Sequence, residues 1–547
     1  MSTTLKLGAG NWATKAGSLL SYNDENGNFK PLPFNFTRST SATRVNKDGL
    51  IEVVTNNKPR IDFLNNSKGA LLLEPSRTNL IQYSKDFGND YWTKSGASIE
   101  GDASTAGADL VGGVDFQVTW NPANITVNSA TSLTSTSAGG YIQSHLYITS
   151  SSPQMYQVTV VGTYSGAGNL VRFFDYGQSQ LYSDVVVSGG VFSSTFYAVA
   201  TADGFLIQMP DNSATLVFTT FTVKEVQGYS APSVNFPTSA FKLVENAATS
   251  EHRIERRISA VSTNDHTLYV YAKANTRDRI TIQNFDNSTQ YAGATFDLLN
   301  GVIVGDITGS AEIKTMANGW YKCSVTGTPP TTNLGYQEIA LAESTHTGSF
   351  LDNYLGDGTS GVYIFGAQLE QGSYATSYIP TQGSIGTRTV EYSKILNQPI
   401  LKATNKFTMF FDAPKFLEVN GGVGSFSGIM LNLGAEESAY SGGGGLHIYN
   451  NVWYYFSGSV ATNIGICYNS LTDSKFAISY DGTSFHKYAN GVKIGSIALS
   501  ASMVNWDTFQ TGDMIDAGLN ERSWNLKNLK LYNTALTDAE LINLTKI

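Results

Sequence analysis

Charge is scarce in this sequence. Lys, Arg, Asp and Glu make up 14% of its 547 residues, against about a quarter in ordinary soluble domains. Its polar surface therefore has to come from Ser, Thr, Asn and Gly. The formal net charge is −9. That leaves no broad basic face, so no nucleic-acid partner is expected. Cysteine is nearly absent. Cys323 and Cys467 lie far apart in apolar, aromatic-rich stretches, which predicts two buried thiols rather than a disulfide and excludes cysteine-based zinc spacing. The six histidines are scattered, with no two at ligand spacing on one element, so neither a metal nor a cofactor is expected. His252 and His266 fall in or near the charged run EHRIERR, which reads as a solvated face or a subunit contact. No apolar run is long enough to span a bilayer, so no membrane insertion is expected. The first residues, MSTTLKLGAGNW, hold no signal-peptide core. Heptads and Gly-X-Y repeats are missing too, which excludes a coiled-coil or collagen shaft.

What is abundant is tyrosine and phenylalanine, with 29 and 28 copies. Together with the Ser, Thr, Asn and Gly content this favours strands and turns. Alternation is the dominant period. HTLYVYAKA sets Leu268, Val270 and Ala272 against Tyr269, Tyr271 and Lys273. VTVVGTY and LVRFFDY flank a Ser-Gly-Ala-Gly turn and read as a hairpin. Asp481-Gly482 and Asn490-Gly491 each sit between strand-like runs and mark two more. Helical signals are rare. The clearest is TALTDAELINLTKI, where Thr537 can cap and Glu540 stands three residues on. Short strands and turns at this density predict sandwiches or barrels. The length allows roughly three or four domains.

Two long stretches carry a resemblance. FTRSTSATRVNKDGLIEVVTNNKPRIDF, followed by GALLLEPSRTNLIQYSKDF and YW, resembles the N-terminal pattern of phage virion proteins. Tail-fibre and head-fibre proteins of Bacteroidetes phages are the nearest in kind. GWYKCSVTGT and YIFGAQLEQGSYATSYIPT resemble the end of the jelly-roll module that follows it. LKNLKLYNTALTDAELINL is similar to the close of a concanavalin A-like, laminin-G-type lectin domain. The resemblance implies an all-β chain of multi-domain jelly-roll β-sandwiches, with an extended N-terminal segment and a C-terminal lectin-like sandwich. Residues 1–80 would form an attachment or assembly segment. Residues 81–101 with 231–388 would form a jelly-roll sandwich, 102–230 an inserted β-sandwich, and 389–547 the lectin-like domain. It further implies a structural protein at the virion surface, on head or tail. Its partners would be other virion proteins through the N-terminal segment, and a host cell-surface glycan. A homotrimer is implied by analogy with fibres. A head-surface decoration protein without glycan binding and a capsule depolymerase are the alternatives.

The candidate residues follow. Arg38, Arg44, Arg60 and Arg77 stand beside Glu52, Asp62 and Glu74 in short strands. They suit a ladder of bidentate ion pairs, either as an anchor for another virion protein or as an internal network. Trp453, Tyr454 and Tyr455 follow a glycine run near His447. A sugar ring stacks on aromatic faces while polar groups fix its hydroxyls, so Trp453, Tyr455 and His447 are the glycan-contact candidates, with core packing as the alternative. Alternation puts Tyr454 on the opposite face from its two neighbours. A glycosidase needs two acids at a set separation. Asp473, Asp481, Asp513 and Asp516 form no such local signature, and Asp481 is explained by its turn. No catalytic residue is assigned, and a non-enzymatic protein is expected.

Overall fold

A computed structural model shows an all-β protein with one short C-terminal α-helix among its described residues. The structure describes the chain except for residues 1–4, 16–17, 24–29, 102–120, 145–153, 176–180, 201–204, 226–228, 237–238, 287–288, 396–405, 414–426, 433–444, 450–451, 458–459, 467–473, 500–507 and 514–523. It forms two compact units. One holds residues 1–77, 372–378 and 387–547; the other holds residues 78–371 and 379–386.

The first unit joins the two ends of the sequence. Strand Leu5–Gly8 pairs antiparallel with strand Asn528–Tyr532, with Leu5 opposite Leu531 and Leu7 opposite Leu529. On its other side it pairs with Ser18–Asn23. Strand Lys30–Thr37 pairs with Tyr392–Ile395. These links run the N-terminal strands through the middle of one large sheet. Leu5, Leu7, Phe34 and Phe36 alternate into the same core as Phe411, Trp453, Phe476, Phe485 and Leu529. The sandwich assigned to residues 389–547 alone is therefore completed by residues 5–37, and residues 1–80 are no separate extended segment. The leucines of a four-residue strand carry too short a period to announce this partner.

Local turn chemistry shaped the C-terminal half as its sequence suggests. Strands Ser474–Tyr480, Ser484–Ala489 and Val492–Ala498 pair in succession. Asn490 and Gly491 both take positive φ between the last two, as a type I′ turn requires. The helix Asp538–Thr545 starts at Thr537, whose side chain accepts from the Glu540 amide in a capping box. It packs Leu541 beside Phe410, Ala477 and Tyr488.

The second unit holds two sandwiches. One has two six-stranded sheets. The other has two five-stranded sheets and lies within residues 121–225. Strand Ala97–Glu100 pairs with strand Phe241–Glu245, so the chain between them leaves one sheet of the first sandwich and returns to it. The hairpin read from VTVVGTY and LVRFFDY does not form. Strand Gln154–Tyr164 pairs with Val191–Ala200 and Thr215–Glu225, while Leu170–Asp175 pairs with Leu181–Val186 and Phe205–Met209 in the facing sheet. The Gly-rich turn crosses between sheets. Val158, Val160, Val171 and Phe173 turn one face of each run into the core between the two sheets, with Thr159, Thr163 and Arg172 on the other faces.

His252 and His266 are buried rather than on a solvated face. The His252 ring nitrogens lie 2.6 Å from the Gly96 carbonyl oxygen and 3.2 Å from that of Tyr354. Cys323 is a buried free thiol, pushed above its usual range by burial. Cys467 lies outside the described residues.

Candidate functional site

The arginine-bearing segment builds a charged core inside the first unit. Arg38, Arg60, Arg388, Glu74 and Glu391 are all buried. Glu391 accepts from Arg38 Nη1 at 2.5 Å and from Arg60 Nε at 2.8 Å, and it also pairs with Arg60 Nη2. Glu74 accepts from Arg60 Nη2 at 2.8 Å and lies 3.1 Å from Arg388 Nη1. Further donors go to backbone: Arg38 Nε on Thr40 O, Arg60 Nη1 on Thr43 O, and Arg388 Nη2 on Pro75 O, while the buried Arg388 Nε has no hydrogen-bond partner among the described residues. Ser377 donates its amide to Glu74 Oε1 at 2.8 Å. Burial alone would raise the Glu74 carboxyl, but Arg388 and Arg60 hold it well below the usual carboxylate range. Burial likewise works against Arg60, and Glu391 and Glu74 more than reverse it. Three guanidinium groups meet two carboxylates here, each with several hydrogen bonds, which is the condition for a buried ion cluster to persist.

The other members of that candidate set lie elsewhere. Arg44 faces Glu52 across the hairpin of strands Ala42–Val45 and Ile51–Val54, with Nη2 2.9 Å from Oε2. Asp62 caps backbone, accepting from the Val45 amide at 2.7 Å and the Leu64 amide at 3.1 Å. Arg77 stacks 5.7 Å from the Tyr374 ring centroid and packs close to Gly372, where an added Cβ would lie 2.9 Å from its Nε. Arg38 and Arg60 therefore hold the unit's interior together, and they offer no surface for docking another protein. Arg388 and Glu391 were not among the expected residues. The one available signal was a shortage: several arginines with Glu74 as their strongest partner require another carboxylate, and TRTVEYS supplies it.

The aromatic candidates also point inward. Trp453 and Tyr455 are buried in the core, with Trp453 6.1 Å from the Phe411 ring and Tyr455 6.2 Å from that of Phe485. This corrects their assignment as glycan contacts: the apolar face of strand Val452–Ser457 is the one the sandwich needs. The side chain of His447 lies outside the described residues.

A different constellation appears on the second unit, on a six-stranded sheet. Ile254, Ile280, Ile282 and Ile339 fill the core from its inner face. Period-2 alternation turns their neighbours outward. Arg257 faces Tyr336, and Tyr336 faces Phe285, across three adjacent strands. One step along, Glu255, Glu338 and Gln283 form a parallel row. Three strands span ~10 Å. Arg253 ties the carboxylates, with Nε 2.8 Å from Glu255 Oε2 and 3.1 Å from Glu338 Oε1, and it also pairs with Glu251. Burial, with Glu255 alongside, pushes the Glu338 carboxyl well up. Residues 343–353 cross the far part of this face. The Thr295 hydroxyl donates to Gly348 O at 2.6 Å, Gln290 Nε2 to Ser349 O at 2.6 Å, and the Asp306 amide to Thr347 O at 2.9 Å. This strap carries Phe350, 57% exposed, with its ring 6.2 Å from that of Phe285. Such a site was hidden in the sequence because three strands and a loop contribute to it. The Tyr336-x-Glu338 spacing was its local trace.

Among the described residues no group of three or more His, Cys, Asp or Glu side chains is placed to hold a metal ion, and no helix is long and apolar enough to cross a membrane.

No known family model matches the chain, and no curated protein sequence does. Solved structures do match in part. The carbohydrate-binding module CBM40 of a Ruminococcus gnavus sialidase, bound to sialyllactose, is 15% identical over 27% of this chain and 85% of that one, with a TM-score of 0.21. The binding domain of botulinum neurotoxin DC is 14% identical over 28% of this chain and 39% of that one, with a TM-score of 0.22. Trypanosoma rangeli sialidase is 10% identical over 98% of this chain and 97% of that one, with a TM-score of 0.19. The whole-chain match to a sialidase overturns the expectation of a non-enzymatic protein, which is withdrawn. At these TM-scores the likeness assigns no reaction.

Proposed function

We propose that the chain is a structural subunit of a phage virion, a fibre or spike protein at the head or tail surface, that binds host-cell glycans through one of its β-sandwiches. The observation that carries the glycan half is the outward sheet face of the second unit. There, part-exposed aromatic rings lie beside a row of carboxylate and amide groups. Sugar recognition uses this pairing of ring faces with fixed polar groups. The virion half is supported by the resemblance of residues 36–92. Low charge and a Ser-, Thr- and Tyr-rich surface suit shallow polar contacts, and weak single sites gain avidity from several copies. A homotrimer fits that need.

The test has three arms. Antibody labelling of intact virions should decorate a surface feature, and unlabelled particles overturn the virion role. The purified protein should bind on a glycan array or adsorb to host cells; a blank result on both leaves a decoration protein. Mass photometry should give three times the 58.9 kDa chain, and monomer alone overturns the trimer.

A further inference from the structure

We propose that Ser496, His486 and Asp481 form a serine-nucleophile site on the first unit that hydrolyses carboxylic esters of short acyl groups. His486 and Ser496 stand opposite each other in the hairpin of strands Ser484–Ala489 and Val492–Ala498. Asp481 lies in the turn before it. His486 Nε2 is 3.0 Å from Asp481 Oδ2, and His486 Nδ1 is 2.8 Å from Ser496 Oγ. A hydroxyl within reach of a base, with that base oriented by a third group, is the signature of an activated nucleophile.

The chain of bonds has one direction. A carboxylate only accepts, so His486 carries its proton on Nε2, toward Asp481. Nδ1 is then an acceptor, and the Ser496 hydroxyl donates to it. The ring nitrogens exchange their usual places in such a triad, but either one serves as base once the other holds the proton. Asp481 stays ionised. Its bond to His486, with the Thr483 hydroxyl and the Thr483 and Ser484 amides, holds its carboxyl well below the usual carboxylate range.

Ser496 also has an amide to offer. The Leu499 amide donates to Thr483 O at 3.0 Å, and the register runs unbroken from Ser484 to Lys487. Bonded and non-bonded pairs alternate along an antiparallel ladder, so His486 and Ser496 are a non-bonded pair whose N–H groups point apart. Strand Val492–Ala498 is the last of its sheet among the described residues. The Ser496 N–H therefore faces the sheet edge, where it can meet the oxygen of a carbonyl held against Oγ. Ser496 is exposed, which gives an ester direct access. An exposed serine on an edge strand makes few contacts with an acyl chain, so short acyl groups are the class it takes.

The reaction balances with water alone. Ser496 Oγ attacks the ester carbonyl carbon while its proton moves to His486 Nδ1. The bond to the alkoxy oxygen then breaks, and the alcohol leaves with that proton. Water, deprotonated by His486, attacks the acyl-serine, and the acid leaves as Ser496 Oγ takes the proton back. Ser496 and His486 are the catalytic residues; Asp481 positions the ring.

The experiment treats the full chain with a fluorophosphonate probe and with p-nitrophenyl acetate. Mass spectrometry should find the probe on Ser496. Ser496→Ala should abolish labelling with an unchanged melting temperature. Ser496→Ala and His486→Gln should each lower ester turnover about a hundredfold or more. Asp481→Asn keeps an oxygen for the turn amides but offers an N–H to His486. It should lower kcat and leave KM unchanged. p-Nitrophenyl acetate should turn over faster than the octanoate. Absent labelling, a label on another residue, or full turnover in Ser496→Ala overturns the site. Labelling without ester turnover, or a preference for octanoate, overturns the reaction assigned to it.

Discussion

Glu391 shows how much one residue can hold. It accepts from Arg38 and Arg60, and from the Glu74 amide at 3.0 Å. Glu391→Gln should leave two buried guanidinium groups undercompensated and cost about 3–5 kcal/mol, read from denaturant unfolding of the first unit. Arg44→Ala should cost no more than about 1 kcal/mol, since its pair with Glu52 is a quarter to a third exposed. Equal losses would contradict a cluster that acts through burial. Asp86 gives a pH prediction. Burial pushes its carboxyl from 3.8 to about 7, against weaker opposing hydrogen bonds from Asn89 and Gly88 and the charge of Lys94. Between those values the folded form keeps a proton that the unfolded chain has released, so Asp86 lowers stability as pH rises from about 4 to about 7. Asp86→Asn keeps an acceptor for the Asn89 amide and removes the titration. Its melting temperature, relative to the parent, should be higher at pH 8 than at pH 5. A pH-independent difference would exclude that role.

At the scale of elements, what local chemistry dictates was legible and what partners dictate was not. Asn490-Gly491 demands its turn from two residues, and Thr537 with Glu540 starts the helix from within it. Thr537→Ala should cost about 1 kcal/mol, seen as a lower melting temperature of the first unit; no change would mean the cap is idle. By contrast, the turn after VTVVGTY specified a reversal and not its partner strands. Either pairing buries the same valines and phenylalanines, and only the complete set of strands selects one. Trp453 illustrates the same limit. Alternation put it on the face opposite Tyr454, but which face met the core depended on Phe411 and Phe485 in distant strands.

At the scale of the whole molecule, the first unit is closed by its own N-terminus. Fragment 389–547 lacks strand Leu5–Gly8, which fills the place beside Asn528–Tyr532, and lacks Arg38, Arg60 and Glu74 around Glu391. It should not fold alone by circular dichroism or protease resistance, and adding residues 1–77 in trans should recover part of the fold. A stably folded fragment would sink this account. Residues 121–225, with two complete sheets and their own core, should fold independently.

The sequence by itself determined an all-β chain. Its strand periods, turn residues, capping box and shortage of charge are local properties that hold whatever the partner. Only the tertiary structure decided that residues 5–37 complete the C-terminal sandwich, that GALLLEPSRTNL surrounds a buried Glu74 clamped by Arg60 and Arg388, and that Phe285, Phe350, Glu255 and Glu338 share one face. Each of those depends on side chains hundreds of residues apart, or on adjacent strands and a loop. A strand's alternation states that it has two faces and leaves open what each will meet.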